Sequence, residues 1–168
     1  MKRGKILIFI LILLLLAMDY VFLNYTDSNI LGNIIKIGNG KAKLEERIVT
    51  KIIDGDTVVV SGGDSVSLLG IDCDERGREC YTSAKNRIDE LLLGKEASLE
   101  SDKEDKDQYK RLLRYIFLDG ENINVKMVEE GFCVARFEGN ENAKYRKEIQ
   151  EAEKYAIENK IGCKWKNI

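Results

Sequence analysis

The chain contains no histidine and no proline. Without histidine it lacks the commonest general base near neutral pH and the commonest zinc ligand, which excludes His-dependent triads, His-metal nucleases and most zinc hydrolases. Any chemistry must come from Asp, Glu, Lys, Arg, Tyr or Cys. An excess of positive charge is missing as well. The net charge is −2, and because Lys2, Arg3 and Lys5 outweigh Asp19 by two charges near the N-terminus, the remainder of the chain carries −4. Domains that bind nucleic acid through their overall field are basic. This balance argues against a general DNA-coating protein and leaves room for a small local cleft lined by a few cations. No internal repeat or low-complexity segment is present, and 168 residues suffice for one domain with a real core plus an appendage.

The appendage is at the start. Met1 to Lys5 is positive, and Ile6 to Leu23 is apolar except for Asp19, with Tyr20 at its edge. That length is near the lower limit of about 17 residues for a spanning helix. The unbroken part, Ile6 to Met18, also fits the apolar region of a cleavable signal, but the charged Asp19 follows Ala17 too closely for a good cleavage site. An uncleaved anchor is the favoured reading, with a secreted form as the alternative. Lys2, Arg3 and Lys5 would stay in the cytoplasm and leave the rest of the chain outside. Residues 24–46, with turn formers around a short apolar patch, read as a spacer, and residues 47–166 as the domain.

Within the domain, Ile48 to Ile53, Thr57 to Val60 and Val66 to Ile71 are β-branched runs separated by Asp54-Gly55-Asp56 and Gly62-Gly63-Asp64, the pattern of strands joined by tight turns. Tyr81 to Leu93 has helical spacing with Gly94 as its stop, Glu96 to Glu100 and Tyr109 to Phe117 read as strands, Val125 to Glu130 as a short helix, Phe132 to Phe137 as a last strand, and Asn142 to Asn159 as an amphipathic terminal helix. Short strands around hairpins with one helix inserted predict an α+β, mainly β, Greek-key barrel of the oligonucleotide-binding (OB) type. Asp54, Asp56, Asp72, Asp74 and Glu75 collect where strands end, a placement that suits a hard cation such as Ca²⁺ and equally suits Asp as a turn former.

Three pieces in order carry a resemblance: Asp54-Gly55-Asp56-Thr57, then Leu68-Leu69-Gly70-Ile71-Asp72 with Glu75 three residues on, then Asp107-x-Tyr109-x-Arg111. With Asp119-Gly120, Asn124, Gly131 and Gly162, they make residues 48–165 similar to the thermonuclease family, the staphylococcal-nuclease-like domains. The resemblance implies a five-stranded barrel with three helices and Ca²⁺-dependent hydrolysis of phosphodiester bonds in DNA or RNA. It further implies that Asp56, Asp72 and the backbone carbonyl of Cys73 hold the cation, that Glu75 orients or deprotonates the attacking water, and that Arg111 holds the phosphate. Tyr109, taken to lie on one strand face with Arg111, would contact a phosphate or a base, or else fill the barrel. No protein partner is implied, and a monomer is expected.

Two departures stand out. The family pattern has arginine directly before the Leu-Leu-Gly-Ile-Asp run, where this chain has Ser67, and it has proline before the glutamate, where this chain has Asp74. Losing an arginine clamp on the phosphate costs on the order of 10² to 10³ in rate. Arg76 or Arg78 could swing in as a replacement, whereas Arg114 stands at an odd offset from Arg111 and points to the other strand face. The chain thus reads as a slow nuclease, a nuclease with a relocated arginine, or a membrane-tethered binding module. Four cysteines in an extracytoplasmic domain predict disulfides, with Cys73–Cys80 and Cys133–Cys163 favoured among three possible pairings; a buried unpaired Cys133 is the alternative, and the lack of any Cys-x-x-Cys argues against a zinc site.

The topology is testable on intact cells. Protease added outside should cut beyond about Asn24; cleavage only after lysis contradicts the orientation read from the N-terminal charges.

Overall fold

The computed structural model describes residues 44–137 and 143–167. The expected anchor and most of the expected spacer lie outside them. Among the described residues no helix is long and apolar enough to cross a membrane.

Strand β1 (Leu44–Ile52) turns at Asp54-Gly55-Asp56 into β2 (Thr57–Val60), which turns at Gly62-Gly63 into β3 (Ser65–Leu68). After β4 (Ile71–Cys73) and helix α1 (Tyr81–Leu92), β5 (Glu96–Glu100) and β6 (Leu112–Leu118) follow. The chain ends with β7 (Glu121–Asn122), α2 (Ile123–Glu129), β8 (Cys133–Ala135), α3 (Arg146–Glu158) and α4 (Gly162–Trp165). Strands β3, β2, β1, β5 and β6 pair antiparallel in that order, and parallel pairing of β3 with β6 closes them into a five-stranded barrel. Strand β1 serves two neighbours: its first half pairs with β5 and its second with β2, with a break in register between Val49 and Lys51. A bulge of this kind bends one strand enough to belong to both sides of a small barrel.

The β-branched and aromatic runs supply the interior: Val49, Val58, Val60, Val66, Leu99, Tyr115 and Ile116 are fully buried. Helix α1 buries Ala84, Ile88 and Leu92 and is stopped by Gly94 in the left-handed region. Asn122 caps α2, its side-chain oxygen accepting the N–H groups of Asn124 and Val125. The buried amide of Asn124 then ties the crossing to the barrel: it accepts the Ile116 N–H at 3.0 Å and donates to the Leu69 carbonyl at 2.8 Å. The barrel and its connecting helices thus agree with the expected class, with four helices rather than three among the described residues.

Several local expectations are corrected. The run Val66 to Ile71 is not one strand. Gly70 has φ +80°, and a Cβ there would stand 2.8 Å from Phe137 and Ile149, so the chain turns out of the barrel and β4 pairs with β8 instead. Strand β1 starts at Leu44, inside the expected spacer, because Leu44 to Ile48 is held in register against Glu96 to Glu100; its charged composition hid an exposed, alternating strand. Strand β6 begins at Leu112, and Asp107 to Lys110 is a turn, so Tyr109 and Arg111 do not share a strand face. The last strand shortens to three residues, and Gly162 opens a short helix rather than closing one.

The cysteines do form two disulfides, but the favoured pairing is overturned: the bonds are Cys73–Cys133 and Cys80–Cys163. The reason is register. Cys73 and Cys133 are directly opposed across β4 and β8, with Cα atoms 4.3 Å apart, and Cys80 at the start of α1 lies beside α4. The bridges close spans of 60 and 83 residues, each worth about 4 kcal/mol by the chain-entropy estimate. Peptide mapping of the oxidised protein should recover these two linked pairs, and Cys80→Ser with Cys163→Ser should cost about 2–4 kcal/mol in urea unfolding. Recovery of a Cys73–Cys80 peptide contradicts the observed register.

Candidate active site

A cleft of about 370 Å³ opens on one side of the barrel, and Asp56, Ser67, Asp72, Glu75, Asp107 and Arg111 all line it. These residues come from separate stretches of the sequence. The β1–β2 turn carries Asp56, and Gly55 lets that turn press against its surroundings, since a Cβ there would come within 2.8 Å of both Ala84 and Cys73. Asp56 Oδ2 accepts the Cys73 N–H at 2.8 Å and Oδ1 accepts the Thr57 hydroxyl at 3.1 Å. Burial, helped by the neighbouring charge of Asp54, pushes the Asp56 carboxyl up to about 7 despite these donors. Asp72 sits at the middle of β4, opposite Val134, with its side chain toward the cleft while Ile71 and Cys73 are buried.

Arg111 is set by Asp107. One oxygen of that carboxylate accepts the N–H groups of Tyr109 and Arg111, both at 2.9 Å, and the other takes Arg111 Nε at 2.7 Å. Burial alone would raise the Asp107 carboxyl, but the hydrogen bonds and charge of Arg111 outweigh it and hold it below the usual carboxylate range. Arg111 Nη1 also reaches Thr57 Oγ1 at 3.3 Å. A guanidinium carries five N–H donors, so donors remain for a ligand in the cleft. Tyr109 stands apart from the lining residues. It is 72 % exposed, with its ring centroid 5.8 Å from Arg111 Cζ, which places it at the rim and removes the barrel-filling reading.

The loop bearing Glu75 is exposed at the glutamate and fixed around it. Asp74, where the family pattern has proline, accepts the Cys80 N–H at 2.9 Å and pairs with Lys164 at 2.5 Å. Burial would raise its carboxyl, but Lys164 and the Cys80 N–H together hold it below the usual range. With Cys73 and Cys80 both in disulfides, the short loop between them is anchored at each end. Asp74 therefore restrains the loop by a route the sequence did not reveal.

Of the arginines considered for the Ser67 vacancy, Arg76 and Arg78 are exposed and do not line the cleft. Arg114 is buried and bonds Asp105 at 2.6 Å, but not by the strand offset from Arg111, since Arg111 lies before β6 begins. Besides Arg111, the arginine that lines the cleft is Arg136, just beyond β8, with Nη1 at 3.1 Å from Asp72 Oδ2. Sequence reasoning missed it because its position depends on the β4–β8 pairing, which no local pattern announces.

The geometry agrees with the comparisons. A model of the staphylococcal nuclease homologue family matches residues 65–167. The thermonuclease of Staphylococcus intermedius is 37 % identical over 121 residues, covering 67 % of this chain and 71 % of that protein. The thermonuclease of Staphylococcus hyicus is 32 % identical over 121 residues, covering 64 % and 69 % respectively. Endonuclease YncB of Bacillus subtilis is 30 % identical over 140 residues, covering 75 % of this chain and 66 % of its own length. With a barrel, a cleft and a matching stretch that takes in most of the described domain, the chain belongs to the staphylococcal nuclease homologue family.

Proposed function

We propose that this chain is a Ca²⁺-dependent endonuclease that hydrolyses phosphodiester bonds in DNA or RNA. The observation that carries the reading is the convergence of Asp56, Asp72, Glu75 and Arg111 on one cleft from stretches far apart in sequence. The donor chemistry fits a hard cation: Asp56 is a half-buried carboxylate beside the acidic Asp54, with only neutral donors on it, and burial has raised it to about 7 for want of positive charge. Among the described residues no cluster of three or more acidic, Cys or His side chains is placed to hold a metal. In this reading the protein would contribute Asp56, Asp72 and the Cys73 carbonyl, with water completing the six to eight oxygens that Ca²⁺ takes. A cation held by these groups would supply positive charge against the phosphate oxygens.

The remaining work belongs to side chains. Glu75, exposed on an anchored loop, orients the water and accepts its proton. Arg111, pre-set by Asp107, donates charge-assisted hydrogen bonds to the phosphate as negative charge develops. Tyr109 at the rim offers a face for a base. The two disulfides support an extracytoplasmic placement, in keeping with an N-terminal anchor or a cleaved signal. A second reading, a tethered binding barrel without turnover, draws on the serine at position 67.

Cleavage of single-stranded DNA with Ca²⁺ tests the reading. Glu75→Gln and Arg111→Ala should each lower kcat by about 10² or more with little change in the unfolding midpoint. If both variants match the parent, the assignment of the cleft fails; if the folded parent binds but never cleaves, the binding module is the better account.

The raised Asp56 carboxyl sets a pH dependence. Its folded-state value, about 7, lies above the ordinary 3.8, so between these values the folded protein holds a proton that the unfolded chain has lost. Cation binding must displace that proton. The rise in Tm produced by Ca²⁺ should therefore be larger at pH 8 than at pH 6, with proton uptake from the protein by buffer on binding near pH 6.5. An equal rise at both values contradicts the role given to Asp56.

A further inference from the structure

We propose that Arg136 supplies the second phosphate-binding guanidinium of the cleft, replacing from strand β8 the arginine that the position of Ser67 lacks. The inference rests on the nuclease reading above and assigns a further residue to it. Ser67 is half-buried on β3, paired with Thr57, and lines the same cleft as Arg136. Thr57 in turn touches Arg111, so an arginine at position 67 would have stood beside Arg111. The cleft is otherwise poor in positive charge. Its described lining residues include Asp56, Asp72, Glu75, Glu104 and Asp107, against Arg111 and Arg136 as the only cations. Arg111 already gives its Nε to Asp107. A phosphodiester entering with Arg111 alone would meet one partly committed guanidinium and a wall of acids.

Backbone register explains how Arg136 arrives there. Across the antiparallel pair, Asp72 faces Val134, and the Arg136 N–H donates to the Gly70 carbonyl at 2.9 Å, continuing the ladder by one step. Residues 134 and 136 project to one face, so Arg136 is the diagonal neighbour of Asp72, within reach of a long side chain. The residue it directly opposes is Gly70, which presents no side chain. The ion pair with Asp72 does not bind the arginine to that carboxylate: the two side chains are 57 % and 44 % exposed, and such a pair is worth about 0–1 kcal/mol. A cation held at Asp72 would compete with the guanidinium for that carboxylate, and a phosphate would then offer Arg136 the paired, parallel hydrogen bonds that a guanidinium makes.

The test uses the full chain and single-stranded DNA with Ca²⁺, comparing the parent, Arg136→Ala, Arg136→Lys, Ser67→Arg and the double variant Ser67→Arg with Arg136→Ala. Arg136→Ala should lower kcat by about 10² while Tm is held. Arg136→Lys should recover only part, because a point charge cannot make the paired contact. Ser67→Arg should gain less than about three-fold in the parent yet restore ten-fold or more in the Arg136→Ala background, a rescue that a structural role for Arg136 would not give. The proposal is overturned if Arg136→Ala keeps activity within about three-fold or raises it, or if Ser67→Arg gives the same gain in both backgrounds. An active parent with any of those results removes only Arg136. A folded parent and a folded Ser67→Arg that both fail to cleave remove the nuclease reading and this inference with it.

Discussion

The hydrogen bond from the Cys73 N–H to the Asp56 carboxylate joins two parts of the chain that local patterning would leave apart. On one side is the tight turn between the first two strands, which carries Asp56. On the other is β4, which has left the barrel at Gly70 and is bolted to β8 by the Cys73–Cys133 bond. That contact brings the Asp56 and Asp72 side chains to one cleft and sets the start of the loop that presents Glu75, while the pairing of β4 with β8 places Arg136 diagonally across from Asp72. The unusual state of Asp56 comes from burial, which raises its carboxyl and which this bond only partly offsets. A carboxylate drawn in against a backbone N–H loses water, and a neutral donor does not compensate for a lost counter-charge.

The sequence was most legible where patterning is local. Thr57 to Val60, Glu96 to Glu100 and Tyr81 to Leu92 could be read almost to the residue, because β-branched runs, helical spacing and glycine stops act within a few positions. Asp56, Asp72 and Glu75, which line the cleft, were singled out through the family resemblance that three short stretches carry. What escaped was non-local. Gly70 looked like part of an apolar strand, and only its left-handed backbone, crowded by Phe137 and Ile149, shows why the chain must turn there. Once that turn was missed, the β4–β8 pairing, the cysteine connectivity and the position of Arg136 were all out of reach. Tyr109 was misplaced for a different reason. Asp107 folds the chain into a turn by accepting two backbone N–H groups, and side-chain capture of this kind overrides strand alternation.

The acidic balance of the chain fits a small site more than an extended surface. Positive charge in the cleft is confined to guanidiniums with assigned carboxylate neighbours, Asp107 for Arg111 and Asp72 for Arg136. Such pairing keeps the arginines oriented and limits non-specific attraction, at the expense of long-range steering. Fixing the loop with two disulfides and Asp74 serves the same end, since an exposed glutamate acts on a water only if its backbone is held.

The central claim is that water, set up in this cleft, breaks a phosphodiester bond. Cleavage of single-stranded DNA in ¹⁸O-labelled water, followed by mass spectrometry of the fragments, tests it most directly. The account predicts one solvent oxygen in the new terminal phosphate of each cut when Ca²⁺ is present, and no fragments when it is chelated. Intact DNA under both conditions, or fragments that form equally well with the chelator, would contradict it.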